Sequence, residues 1–190
     1  MKGRYTMKVK ITILALILMM VLLTGCNKKD EKGDNNTSGN DTPDTVTTAS
    51  IVDNNAAFEK AISKNGTWII AITKDLTFDT ELILEGEYKN GKKDDKGNDI
   101  IQRKVALYAQ DKDRNITARY TLTAPKLTVF SPEASIQHGT FKGDLYVSVA
   151  NFKLIDATVD GNVYFTSEDY KSSFTMDETS KVTGTQELKK

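Results

Sequence analysis

Cross-linking within the chain is excluded at the outset, because its 190 residues hold a single cysteine, Cys26. Stability must therefore come from packing and backbone hydrogen bonds. A single histidine, His138, excludes a multi-histidine metal centre and any histidine pair. Three prolines exclude a proline-rich or collagen-like chain. An excess of one charge is also missing: 26 Lys+Arg stand against 26 Asp+Glu. Basic and acidic residues alternate instead of building the sustained basic face that nucleic-acid binding needs, so no nucleic-acid partner is expected. Long apolar runs are few. The main one, residues 11–23, is broken only by Thr12 and falls short of the roughly 20 residues that cross a hydrocarbon core.

What is present begins with an address. Lys2, Arg4, Lys8 and Lys10 precede that apolar run, the order expected of an export signal. Leu23-Thr24-Gly25-Cys26 follows, and it resembles the lipobox of bacterial lipoproteins: a branched apolar residue, two small residues and a cysteine. The resemblance implies cleavage after residue 25 and a covalent diacylglycerol on the Cys26 thiol. It also implies extracytoplasmic anchoring to a membrane by lipid, since each buried CH₂ adds about 0.8 kcal/mol. Removal of the four basic residues leaves 22 basic against 26 acidic side chains, a charge of −4. After Cys26, residues 27–50 are Asn, Lys, Asp, Glu, Gly, Thr, Ser and one Pro, with Val46 and Ala49 almost the only apolar side chains. Such a stretch cannot bury enough surface to offset ordering and is expected to be a flexible polar tether. The folded domain is then expected over residues 51–190.

Within it, Asn54 or Asn55 can cap a short helix whose Phe58, Ala61 and Ile62 fall on one face, with Asn65-Gly66 as its stop. No further helix is expected. Short β-prone runs follow at 68–72, 76–78, 81–84, 104–108, 117–123 and 127–130, punctuated by Gly, Asn, Asp and Pro. Phe141-Lys142-Gly143-Asp144-Leu145-Tyr146-Val147 then recurs as Val159-Asp160-Gly161-Asn162-Val163-Tyr164-Phe165, with Ile136 matched by Leu154. Val182-Thr183-Gly184-Thr185 is a third, looser copy. Repeats of this length with alternating apolar positions and Gly or Asn corners predict an all-β parallel solenoid whose coils stack in register. Phe141/Val159, Leu145/Val163 and Val147/Phe165 should face inward. Tyr146 should lie over Tyr164 on the outside, and Asp144 over Asn162 at a turn. These four residues are read first as packing and second as a ligand face. The helix should cover the first coil, with Phe58 and Ile62 as its plug, while Glu187, Lys189 and Lys190 place charge at the far end.

The helix, the run 67–84 and the stretch 121–184 (TLTAPKLTVFSP…IQHGTFKGDLYV…DATVDGNVYF…KVTG) resemble the right-handed parallel β-helix of the pectate-lyase-like superfamily. The V-x-G-N-V-Y coils also resemble the β-solenoid of bactofilins, which form polymers. An all-β sandwich or jelly roll is the alternative fold.

The superfamily resemblance implies candidates for polysaccharide chemistry: Asp144, Asp156 and Asp160, with Lys142 or Lys153 nearby. Asp160 aligns with Lys142 one repeat earlier and Asp156 with His138, which points to turn residues instead of a paired-carboxylate site. The expectation is no catalytic set and no bound metal. Asp111-Lys112-Asp113-Arg114-Asn115 opens like a calcium loop but has Ile116 where glycine belongs and Leu122 where glutamate belongs, so calcium is only weakly implied and a charged hairpin tip is expected. Residues 89–99 should form a solvent loop or long hairpin. Together these expectations describe a non-enzymatic structural, adhesive or binding module of the cell envelope, whose partner is an envelope glycan or a protein. A polysaccharide lyase or hydrolase and a filament-forming protein are the alternatives.

Overall fold

The computed structural model describes residues 50–189. The expected signal, the lipobox residues Leu23, Thr24 and Gly25, Cys26 and nearly all of the tether lie outside the described residues. Among the described residues, no helix is long and apolar enough to cross a membrane.

The chain is mostly β, and it returns again and again to the same strand positions. The first pass consists of β1 (Ser50–Val52) and helix α1 (Asn55–Ile62). The second runs through β2 (Ile69–Ile72), β3 (Leu76–Thr77) and β4 (Leu82–Leu84). An antiparallel hairpin, β5 (Lys89–Lys93) with β6 (Asp99–Ile101), leads into β7 (Arg103–Ala106). A second hairpin, β8 (Tyr108–Gln110) with β9 (Ile116–Arg119), separates β7 from the long β10 (Thr121–Val129). The fourth pass is β11 (Ala134–Gln137) and β12 (Thr140–Val147), and the fifth is β13 (Lys153–Ile155), β14 (Thr158–Asp160) and β15 (Val163–Phe165). Helix α2 (Glu168–Ser173) precedes the last three strands, β16 (Thr175–Met176), β17 (Lys181–Val182) and β18 (Gln186–Leu188).

One parallel sheet collects the first strand of every pass, in the order β1-β2-β7-β11-β13-β16. Outside the two hairpins, the other sheet collects the remaining strands in the order β17-β14-β12-β10-β3, with β4 pairing with the C-terminal half of β10, and β15, itself paired with β18, with that of β12. The register follows the repeat: Ile136 pairs with Leu154, Phe141 with Val159, Leu145 with Val163, Tyr146 with Tyr164. Alternation then decides which side chains are inside. Phe141, Leu145, Val147, Val159, Val163 and Phe165 are all fully buried. They share one core with Ile70, Ile72, Val105, Leu122, Leu127 and Ile136.

Corners between strands stack as the strands do. Glu133 and Asn151 repeat one left-handed corner (φ 52° and 60°), and His138 and Asp156 another (φ 60° and 49°). The third belongs to Gly143 and Gly161, at φ 140° and 158°. A Cβ on Gly161 would stand 2.1 Å from the carbonyl oxygen of Gly143, and one on Gly143 would stand 1.8 Å from that of Ala124. Glycine is required there both by the conformation and by the approach of the neighbouring backbone.

Helix α1 starts at Asn54, whose side chain accepts from the Ala57 amide, and buries Phe58, Ala61 and Ile62. Phe58 packs against Phe78 with ring centroids 5.6 Å apart. Two expectations need correction. A second helix exists, because Ser167 caps α2 inside the stretch that lengthens the last repeat. The runs 104–108 and 117–123 are each divided, since Leu107 and Tyr120 bond to one another and to Gln137 and Thr140 where the second hairpin leaves the sheets.

Candidate functional site

On the outer face of the second sheet, register aligns Ile83, Thr128, Tyr146, Tyr164 and Glu187 across five strands. The Tyr146 and Tyr164 rings lie 4.9 Å apart, tilted by 46°. Lys126 reaches to 4.7 Å from the Tyr146 centroid and pairs with Glu81 at 3.0 Å. Lys189 donates to the Tyr146 hydroxyl at 2.9 Å and sits 4.2 Å from the Tyr164 centroid. That hydrogen bond holds its ammonium above the usual lysine range. Phe130 and Ile83, each about half exposed, extend the face toward earlier strands. Because ammonium groups already lie against the rings, the surface offers phenol hydroxyls and fixed charges alongside apolar ring edges.

Asp144 and Asn162 close the corner beside this row. The Asn162 amide nitrogens, side chain and backbone, donate to Asp144 Oδ1 at 3.0 and 3.2 Å. Its own Oδ1 accepts from the amide and hydroxyl of Thr185 at 3.0 and 3.2 Å. Asn162 thus spends its side chain on the ladder, so the packing reading describes it, while Tyr146 and Tyr164 keep partly exposed surface.

The three carboxylates considered for acid–base work have separate partners. Asp160 accepts from the Thr183 hydroxyl at 3.1 Å and stands opposite Lys142 in the sheet. Lys153 pairs with Glu133 at 3.0 Å. Asp156 is the most engaged: its Oδ2 lies 2.9 Å from His138 Nδ1 and 2.6 Å from Arg119 Nη2. His138, then Arg119, holds its carboxyl below the usual range. Tyr108 meets the His138 ring edge-on at 4.5 Å. His138 is therefore more than an isolated turn residue, because this network fastens the β8–β9 hairpin to two successive corners.

At 111–115 the Asp111 carboxylate accepts from the Asp113 and Asn115 amides at 2.9 Å and from the Asn115 side chain at 3.0 Å. Asp94 does the same at the tip of the first hairpin, accepting from Lys96, Asn98 and the Asn98 side chain. Both carboxyls are held below the usual range by those bonds. Among the described residues the same five-residue Asx turn therefore closes both hairpin tips. No group of three or more His, Cys, Asp or Glu able to hold a metal occurs among the described residues.

Sequence reasoning passed over Arg103, which is fully buried. Its guanidinium donates to the carbonyls of Glu85, Ala61 and Ser63 and lies 4.0 Å above the Tyr88 ring. Burial pushes it down to about 10. The only hint was a charged residue opening an apolar run. Arg119 and Lys126 were also missed, and Lys189 was read only as charge at the far end, because their partners lie 37 to 45 residues away. No protein-family model, no curated protein and no solved structure matches the chain.

Proposed function

We propose that the protein is a lipid-anchored, extracytoplasmic module of the cell envelope, built as a parallel β-helix and binding without catalysis. In-register parallel strands at a repeat near 18 residues support the β-helix, and the strong preference for right-handed parallel crossovers favours that hand. The lipobox-like Leu23-Thr24-Gly25-Cys26 supports the anchor. The observation that carries the binding role is the outward row centred on Tyr146 and Tyr164, fixed by Lys126 and Lys189 on a rigid sheet. A pre-ordered row spanning several strands suits an extended ligand, an envelope glycan first and a protein segment second.

Full-length protein in detergent, applied to an array of bacterial and host glycans, tests this reading. Selective retention that falls at least tenfold in Tyr164→Ala, with an unchanged melting transition, is expected. Retention unaffected by Tyr164→Ala and Tyr146→Ala together would overturn the assignment of the face. Cys26→Ser should leave the chain unprocessed or release it from membranes. A correctly cleaved variant that still partitions into detergent would refute the lipid anchor.

A further inference from the structure

The two ends of the stack of passes are finished differently. At the first end the inward side chains are closed off: Val52 and Ile62 are each 3% exposed and Phe58 is fully buried. Helix α1 also takes up strand edges there, because the Asn55 side chain donates to the Thr77 carbonyl at 2.7 Å and the Glu85 amide to the Ile62 carbonyl at 3.1 Å. At the other end, among the described residues, β16, β17 and β18 each pair on one side alone. Their inward residues Met176, Val182 and Leu188 pack on the core yet stay partly exposed, whereas Leu154, Val159 and Phe165, one pass earlier, are at most 1% exposed.

Backbone direction makes these three strands a docking edge. The amides of Thr175, Asp177, Lys181, Thr183 and Lys189 donate to carbonyls of the preceding pass, so alternation turns the N–H and C=O groups of Met176, Val182 and Leu188 to the open side. Natural sheets blunt such an edge with proline, a bulge or repeated lysine. Strand β18 instead carries one charge of each sign, Glu187 and Lys189, on the outward face either side of Leu188. Parallel stacking onto the first end of another copy meets α1. Antiparallel pairing with a second β18, centred on Leu188, sets Glu187 of each copy opposite Lys189 of the other and brings the two Leu188 side chains together over the open core. Centring on Glu187 would oppose two carboxylates and centring on Lys189 two ammonium groups, so charge selects the register.

We propose that the open end is a dimerisation surface whose partner is a second copy of this chain, joined through β18 about a two-fold axis at Leu188. The assembly is closed: each copy contributes its open end, and α1 covers the opposite one, so two copies and no filament result. The seam also lengthens the outer face, because the row Tyr146, Tyr164, Glu187 continues across it into the second copy. An extended ligand lying along that face meets two tyrosine pairs in one dimer, which raises avidity. The dimer itself rests on the strand edges and stands without the binding role above.

Sedimentation equilibrium of the full-length protein in density-matched detergent, over a series of micromolar concentrations, tests this. A reversible monomer–dimer equilibrium with no larger species is expected. Glu187→Lys and Lys189→Glu should each weaken association about tenfold or more, by placing like charges across the seam. The double reversal, Glu187→Lys with Lys189→Glu, should restore it, and all three variants should keep the parent's melting transition. Tyr164→Ala should leave the dimer intact while lowering glycan retention, so failure of the tyrosine face and failure of this interface are distinguishable. A mass that stays monomeric throughout the series, a mass that climbs beyond two copies, or a dimer indifferent to both single reversals would overturn the proposal.

Discussion

The half of the domain after residue 130 and the half before it obey the same strand register but reach it differently. From β11 to β15 the passes succeed one another at a constant interval, and each corner repeats the corner before it. Before β11 the register jumps from Ile70 to Val105 and from Val105 to Ile136, because each turn of the chain admits a hairpin. The regular half is held by repetition: glycine over glycine, Asn162 on Asp144, tyrosine on tyrosine. The irregular half is held by single long-range devices, chiefly helix α1 and the buried Arg103 that ties its last carbonyls to Glu85. A repeated corner spreads its stabilisation over several passes. A unique device concentrates it in one residue.

The largest effect should come from Val163→Asp, in the centre of the regular core. Val163 is fully buried, and an unpaired interior charge costs several kcal/mol against a total stability of about 5–15 kcal/mol. No cooperative thermal transition is expected. A variant that melts like the parent would mean that Val163 does not face inward.

Gly161→Ala comes next, at about 3 kcal/mol, combining a conformation that side chains rarely adopt with a backbone approach of 2.1 Å. Its comparison is Gly97→Ala in the first hairpin, also at positive φ (84°) but with open space around the added carbon. That change should cost about 1 kcal/mol or less. Equal losses from the two glycines in denaturant titrations would show that packing between passes contributes nothing to the requirement.

Arg103→Met should cost about 2 kcal/mol, because it leaves the Ala61, Ser63 and Glu85 carbonyls without their donor. The loss should concentrate in faster amide exchange of α1, with β13–β15 unchanged. Uniformly faster exchange across all passes would contradict the division into a locally fastened half and a repeating half.

What could be foreseen divides along the same line. The inward set Phe141, Leu145, Val147, Val159, Val163 and Phe165 was legible, since a repeat in the sequence reads directly as a register. The tyrosine and Asp144–Asn162 ladders were legible for the same reason. So was α1, from its cap and its apolar face. Arg103 was not, because hydropathy assigns arginine to the surface and the carbonyls that accept from it leave no trace in the side-chain sequence. At Asp111 the charged hairpin tip was legible, while the spacing alone could not separate an Asx turn from a cation loop, since both place oxygens at alternate positions.

The smallest effect should be the acid response of the corner that joins the two halves. Arg119 belongs to the second hairpin, whereas His138 and Asp156 belong to consecutive regular passes. The Asp156 carboxyl is held below its ordinary value of 3.8 by His138 first and Arg119 second. A lowered native value means that the unfolded chain binds the proton more readily. The corner's contribution is therefore complete at pH above the ordinary carboxylate range and is lost as pH falls through the lowered native value. Asp156→Asn should flatten the part of the stability–pH curve between those two values, and the hairpin amides near Arg119 should exchange faster at neutral pH. If the variant kept the parent's acid slope and the hairpin its protection, the link between the halves would rest on the β7–β8 and β9–β10 connections alone, and the ion pair would be a surface contact without energetic weight.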